Sequence, residues 1–166
     1  MVASGTTGLV GVVCDDRPRM RAAVEALMER CGFAVASSTG DVRGLFDAVA
    51  ASRPDVAVLA LAACGTRGLS VVGALSTVDR DCPIVVLSSF ESLRHDAAAQ
   101  GARALVDEDD LRALERVLLG VRRERPRRAV HLGARTSAAP SPAGVGGAAS
   151  VGGGAVIGTV TTNPSS

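Results

Sequence analysis

Between Leu9 and Val121, five short and nearly continuous apolar runs alternate with five stretches of helical periodicity. This alternation constrains the fold more than any other feature. A run that is apolar at almost every position needs cover on both faces, and parallel strands receive that cover from the helices connecting them. The runs span residues 9–14, 33–37, 56–61, 83–88 and 102–106. The middle run lies in PDVAVLALAACGTRGL, residues 54–69, and reads as the central strand, closing in a glycine-rich turn.

The segments between the runs carry their own start and stop signals. Pro18 suits a first helical turn with Asp16 placed to cap it, and Met20, Ala23, Val24, Leu27, Met28 and Cys31 follow at helical spacing until Gly32. Val42, Leu45, Phe46 and Val49 share a second face that ends at Arg53-Pro54, and Leu69, Val72 and Leu75 outline a short third helix. Ser88 and Glu91 stand at capping-box spacing before a fourth helix, residues 89–100. Asp109 or Asp110 opens a fifth, residues 110–122, with Leu111, Leu114, Leu118 and Val121 on one side. The sum is an α/β fold: a doubly wound five-stranded parallel sheet with helices on both faces.

Length allows one domain and an extension. The 166 residues divide into a flexible start at 1–7, a folded domain at 8–124 and a tail at 125–166. The tail begins basic around Pro126, and from Thr136 onward it carries no charge and is rich in Gly, Ala, Ser and Pro. Such a stretch cannot build a core and is expected to be disordered. Three Phe with no Tyr or Trp disfavour base stacking on single-stranded nucleic acid, and a net charge of +1 selects no class of partner. Cys14, Cys31, Cys64 and Cys82 contain no C-x-x-C pair and read as reduced core thiols rather than zinc ligands. No apolar run reaches spanning length and the first ten residues lack the regions of a secretory signal, so a cytoplasmic protein without a membrane partner is expected.

The central stretch also follows a known pattern. Pro54, Asp55, Val56, Leu61, Gly65, Gly68 and Leu69 fall on Pro-Asp-Val-x-x-x-Asp-Leu-x-Met-Pro-Gly-x-x-Gly-Leu, and Asp15-Asp16 in VVCDDRP fall on an acid pair after the first strand. On these residues the chain, over about residues 8–124, resembles the receiver domain of two-component response regulators. The resemblance implies a flavodoxin-like sheet in the order 2-1-3-4-5, with functional loops at the carboxyl ends of the first and third strands. It also implies a site. The acid pair holds magnesium, an aspartate ending the third strand accepts a phosphoryl group, a Ser or Thr after the fourth strand contacts that group, and a lysine after the fifth supplies fixed positive charge.

Two of these positions depart from the family. Ala60 stands at the phosphoacceptor position, and Glu108 stands at the lysine position of Gly-Ala-x-Gly-Tyr-x-x-Lys, aligned on Gly101 and Ala102. All eighteen basic residues are Arg, so no lysine can substitute. A methyl group cannot attack phosphorus, and a carboxylate reverses the charge where phosphate would sit. Ser88 matches the switch hydroxyl, while Leu105 replaces the aromatic residue that many receivers swing. Asp15 and Asp16 stay open to two readings, weak Mg2+ ligands or a helix cap beside a solvated acid. With Glu108 they would form an acidic cluster, neutralised by a divalent ion or by Arg67 of the loop after the third strand.

The expectation is therefore a degenerate receiver, or pseudo-receiver: not an enzyme, needing no cofactor, and serving as a phosphorylation-independent interaction module in two-component signalling. Its partner would be a regulatory protein, a kinase or a transcription factor, or a second copy docking through the fourth helix, fifth strand and fifth helix. The alternative is a transcription-linked regulator that touches nucleic acid through the Arg-rich segment 122–135, against which stands a cation-rich helix end favourable to its own dipole. An enzyme on the same sheet is disfavoured, since neither His95 nor His131 is expected near the strand ends.

Overall fold

The computed structural model describes residues 8–125, so the expected flexible start and, past Arg125, the expected disordered tail with His131 lie outside the described residues. The strands are β1 (Leu9–Cys14), β2 (Phe33–Thr39), β3 (Val56–Ala60), β4 (Ile84–Leu87) and β5 (Ala102–Val106). The helices are α1 (Pro18–Arg30), α2 (Val42–Ser52), α3 (Ser70–Val78), α4 (Arg94–Ala99) and α5 (Leu111–Glu124). All strand pairs are parallel and the sheet runs β2-β1-β3-β4-β5.

Every residue of β3 and β4 is buried, which is why their sequences are apolar without alternation. Successive side chains still point to opposite faces. Val56, Val58 and Ala60 join Val24, Leu27 and Met28 of α1 and Leu114, Leu118 and Val121 of α5 in one layer. Ala57 and Leu59 join Leu45 and Val49 of α2, Val72 and Leu75 of α3, and Ala97 of α4 in the other. The sheet is thus doubly wound, with two helices on one face and three on the other.

Local chemistry fixes the ends of several elements. Asp41 caps α2 by accepting from the Gly44 N–H (2.8 Å), and Asp110 caps α5 by accepting from the Ala113 N–H (2.9 Å). Asp55, also buried, ties the start of β3 to β1: its Oδ2 accepts from the Val10 N–H (2.8 Å) and its own N–H donates to the Val10 carbonyl (2.6 Å). Its Oδ1 faces Arg125 Nη1 (3.5 Å), just past the end of α5. Beyond β3 the chain turns through a 3-10 segment, Leu61–Arg67, where Gly65 and Gly68 take φ of 55° and 49°, the left-handed region in which glycine is unstrained. Leu61 therefore lies outside the central strand that its apolar character suggested.

The fourth helix differs from expectation more. Residues Glu91–Leu93 form a 3-10 turn before a short α4, and neither segment has a side-chain cap. Ser88 Oγ accepts from the Phe90 N–H (3.1 Å) and Glu91 pairs with Arg94 (3.1 Å). The capping box is absent because Ser88 and Glu91 do not share one helix start.

Among the described residues, no single helix is long and apolar enough to cross a membrane, and the apolar pair Leu61–Arg67 and Ser70–Val78 is broken by a 101° bend. All four cysteines are free and buried. Burial pushes the Cys14 and Cys82 thiols up to about 12 and the Cys64 thiol up to about 11, from an ordinary 9.0. Between these values the unfolded chain releases thiol protons that the folded one keeps, so stability falls as pH rises. The urea midpoint is expected to hold steady between about pH 6 and 8 and to decline from about pH 9 upward, with no thiol alkylated in the native protein at neutral pH. A flat midpoint through pH 11, measured with the thiols reduced, contradicts this.

Candidate functional site

Parallel register brings the carboxyl ends of the strands to one edge. Cys14 pairs with Leu59, Ala60 with Leu87, and Leu87 with Val106, so Asp15, Ala60, Ser88 and Glu108 follow or end neighbouring strands at that edge. Ser88 and Glu108 line a recess of about 320 Å³ with Leu61, Phe90 and Leu93. Ala60 has no exposure and its methyl lies in the apolar layer with Val13, Leu87 and Val106. Leu105 is likewise buried, on the opposite face.

The polar centre of the edge is Asp15, whose side chain is fully buried. Its N–H still donates to the Thr39 carbonyl (3.1 Å), continuing the β1 pattern by one residue and turning the carboxylate back into the loop. There Oδ1 accepts from the Arg17 N–H (2.9 Å) and from Arg17 Nε (3.1 Å), while Oδ2 accepts from Arg17 Nη2 (3.1 Å). The same Nη2 reaches Glu108 Oε2 at 2.8 Å. One guanidinium thus forks onto Asp15 and bridges to Glu108, the geometry in which arginine binds carboxylates best. Arg21 Nη1 adds a hydrogen bond to the Asp15 carbonyl (2.8 Å). Hydrogen bonding to Asp15 and the charges of Asp15 and Glu108 outweigh partial burial and hold Arg17 above its ordinary range, so it stays charged.

This arrangement corrects three expectations. Asp16 is exposed and does not cap α1; Arg17 occupies the cap position without a side-chain cap, and Pro18 fills the first turn. Asp15, rather than Asp16, receives the loop N–H. Arg67 is exposed and enters no ion pair among the described residues, and Arg17, on the loop before α1, does the neutralising instead. Sequence reasoning passed over Arg17 because its partner Glu108 is remote in the chain; the only available signal was an Arg directly after the acid pair.

The magnesium of the family does not fit these residues. Mg2+ requires near-octahedral oxygen ligands at short range. Both Asp15 oxygens already accept from Arg17, Asp16 is exposed, and Ala60 offers no oxygen. Among the described residues, no three His, Cys, Asp or Glu side chains are placed to hold a metal ion.

A doubly wound sheet in the order β2-β1-β3-β4-β5, with Asp15 and Glu108 at its carboxyl edge, is the flavodoxin-like arrangement that the sequence resemblance implies. The family model for the response regulator receiver domain matches residues 12–111, and the chain belongs to that family. No curated protein matches its sequence. In structure it is similar to the signal receiver domain of the response regulator NarL from Mycobacterium tuberculosis (TM-score 0.63, 23% identity, 71% of this chain and 98% of that one). It is similar also to a LuxR-family two-component response regulator from Aurantimonas (TM-score 0.59, 22% identity, 68% and 86%). A third is the CheX-CheY-BeF3-Mg2+ complex from Borrelia burgdorferi (TM-score 0.59, 16% identity, 66% and 87%). At these identities the likeness is one of fold.

Proposed function

We propose that this receiver domain is a degenerate one that works in the cytoplasm as a phosphorylation-independent protein-interaction module of two-component signalling. The observation carrying this reading is the buried Ala60 methyl at the end of β3, in the position where the family places its phosphoacceptor. Phosphoryl transfer to a receiver needs a carboxylate nucleophile and positive charge for the transferred oxygens. Ala60 supplies no nucleophile, Glu108 brings negative charge to the lysine position, and Arg17 is already committed to two carboxylates. Ser88 Oγ accepts from the Phe90 N–H, and buried Leu105 has no polar tip to move between core and solvent.

The partner surface on this reading is the face built by α4, β5 and α5. It holds a recess of about 460 Å³ where Glu91, Arg94, Asp107 and Arg116 surround Leu105 and Val117. Mixed charge around an apolar floor suits a protein partner, a kinase, a transcription factor or a second copy, better than a polyanion. The nucleic-acid reading gains no support from the described part of segment 122–135. Arg122 donates to the Cys31 carbonyl (3.0 Å) and Arg125 faces Asp55, so two of its cations serve the fold.

The test is incubation of the full chain with acetyl phosphate and Mg2+, followed by intact mass. Unmodified mass is expected, under conditions that phosphorylate a receiver carrying both Asp and Lys. An added phosphate on any aspartate sinks the reading.

A further inference from the structure

The mismatch between this pocket and magnesium extends to what replaced the ion. We propose that the Arg17 guanidinium is the resident cation of the strand-end pocket, bridging Asp15 and Glu108 so that the chain holds the pocket closed with its own charge and excludes divalent metal. The proposal rests on the phosphorylation-independent reading, since a pocket without phosphoryl chemistry has no need of an exchangeable ion.

Three observations carry it. Asp15 is fully buried, yet its two carboxylate oxygens accept three hydrogen bonds, all from Arg17, so its charge is satisfied without an ion. Among the described residues no buried side-chain nitrogen or oxygen lacks a partner, so no orphaned ligand awaits a metal. Glu108, replacing a positive lysine by a negative charge, would be repelled by Asp15 if nothing lay between them, and Arg17 Nη2 lies between them at 2.8 and 3.1 Å. The substitution at 108 and the placement of Arg17 therefore make one exchange: the cation has moved from the fifth strand's loop to the first strand's loop, and the metal's role has gone with it.

Charge counting sets the direction of the test. A divalent ion can enter only if Arg17 swings out, which its 40% side-chain exposure allows sterically, but entry forfeits the forked bonds to Asp15 and the bridge to Glu108. Arg17→Gln removes the competitor and leaves Asp15 and Glu108 as two carboxylates with no cation between them, which a divalent ion can bridge while water completes its shell. Mn2+ binding to the full chain, followed by electron paramagnetic resonance, is expected to show no bound ion in the wild type at about 1 mM metal. In the variant, binding should be tighter by about 10-fold or more, and Mg2+ should raise the melting temperature.

A second measurement guards against a variant that does not fold. In the wild type, the Arg17 Nε–H resonance, held on Asp15, is expected to stay unshifted on Mg2+ addition. Wild-type Mn2+ binding as tight as that of a folded variant overturns the proposal, as does a folded variant that binds no metal, or displacement of the Arg17 resonance by Mg2+. Metal binding by an unphosphorylated wild type overturns this proposal alone; phosphate uptake with the Arg17 resonance intact overturns only the functional reading beneath it.

Discussion

An aspartate at position 60, where the proposed reading puts the phosphoacceptor position, is expected to weaken the protein rather than make it phosphorylatable. Ala60→Asp places a carboxylate at a site with no exposure, among Val13, Leu87 and Val106, while the nearby cation already serves Asp15 and Glu108. The loss at neutral pH should be about 2–4 kcal/mol, read as a fall in the urea midpoint. Burial raises the new carboxyl's pKa above its unfolded value, so the folded state favours the protonated form. The loss is accordingly smallest in acid and grows as pH rises through the raised value. The variant should also stay unmodified by acetyl phosphate, because Glu108 still opposes the incoming charge. A variant as stable as the wild type at neutral pH, or one that takes up phosphate, would mean that the pocket tolerates a third carboxylate beside Asp15 and Glu108.

The other large effect lies in the core. Leu118→Ala on α5 should cost about 3 kcal/mol, in the lower half of the range for emptying a fully buried leucine site. In a domain of this size that lowers the melting temperature by about 10–15 °C. Leu118 packs α5 onto the sheet beside α1, so the same variant tests whether α5 keeps its place when that layer is loosened. A shift under about 1 kcal/mol would mean that the site collapses onto the missing volume, contrary to rigid packing between α1, α5 and the sheet.

The sheet was legible in the sequence because β3 and β4 are covered on both faces and must be apolar throughout. Where the reading fell short, the physics differs from place to place. β2 runs to Thr39, beyond the expected Ser37, because its hydroxyl residues keep pairing with β1 at the sheet's edge, where polarity is tolerated. The central strand looked one residue too long because Leu61 is apolar but already belongs to the 3-10 turn. The fourth helix was overdrawn because its sequence, RHDAAA, has little apolar periodicity to mark its start. At the pocket, Asp15, Ala60, Ser88 and Glu108 could be placed at strand ends from pattern alone, though the roles given to them are proposals. Arg17 could not, since its importance comes from a pairing between distant loops that no spacing rule encodes.

The anchorage of Asp55 to Val10 and Arg125 has a spatial consequence. These residues gather at the amino-terminal rim of the sheet, whereas Asp15, Arg17 and Glu108 gather at the opposite rim, a strand's length away, or about 17 Å for the five residues of β3. Arg125, the last described residue, therefore stands at the rim away from the guanidinium clasp, and α5, Leu111–Glu124, is the element that spans the distance from the Glu108 loop to it.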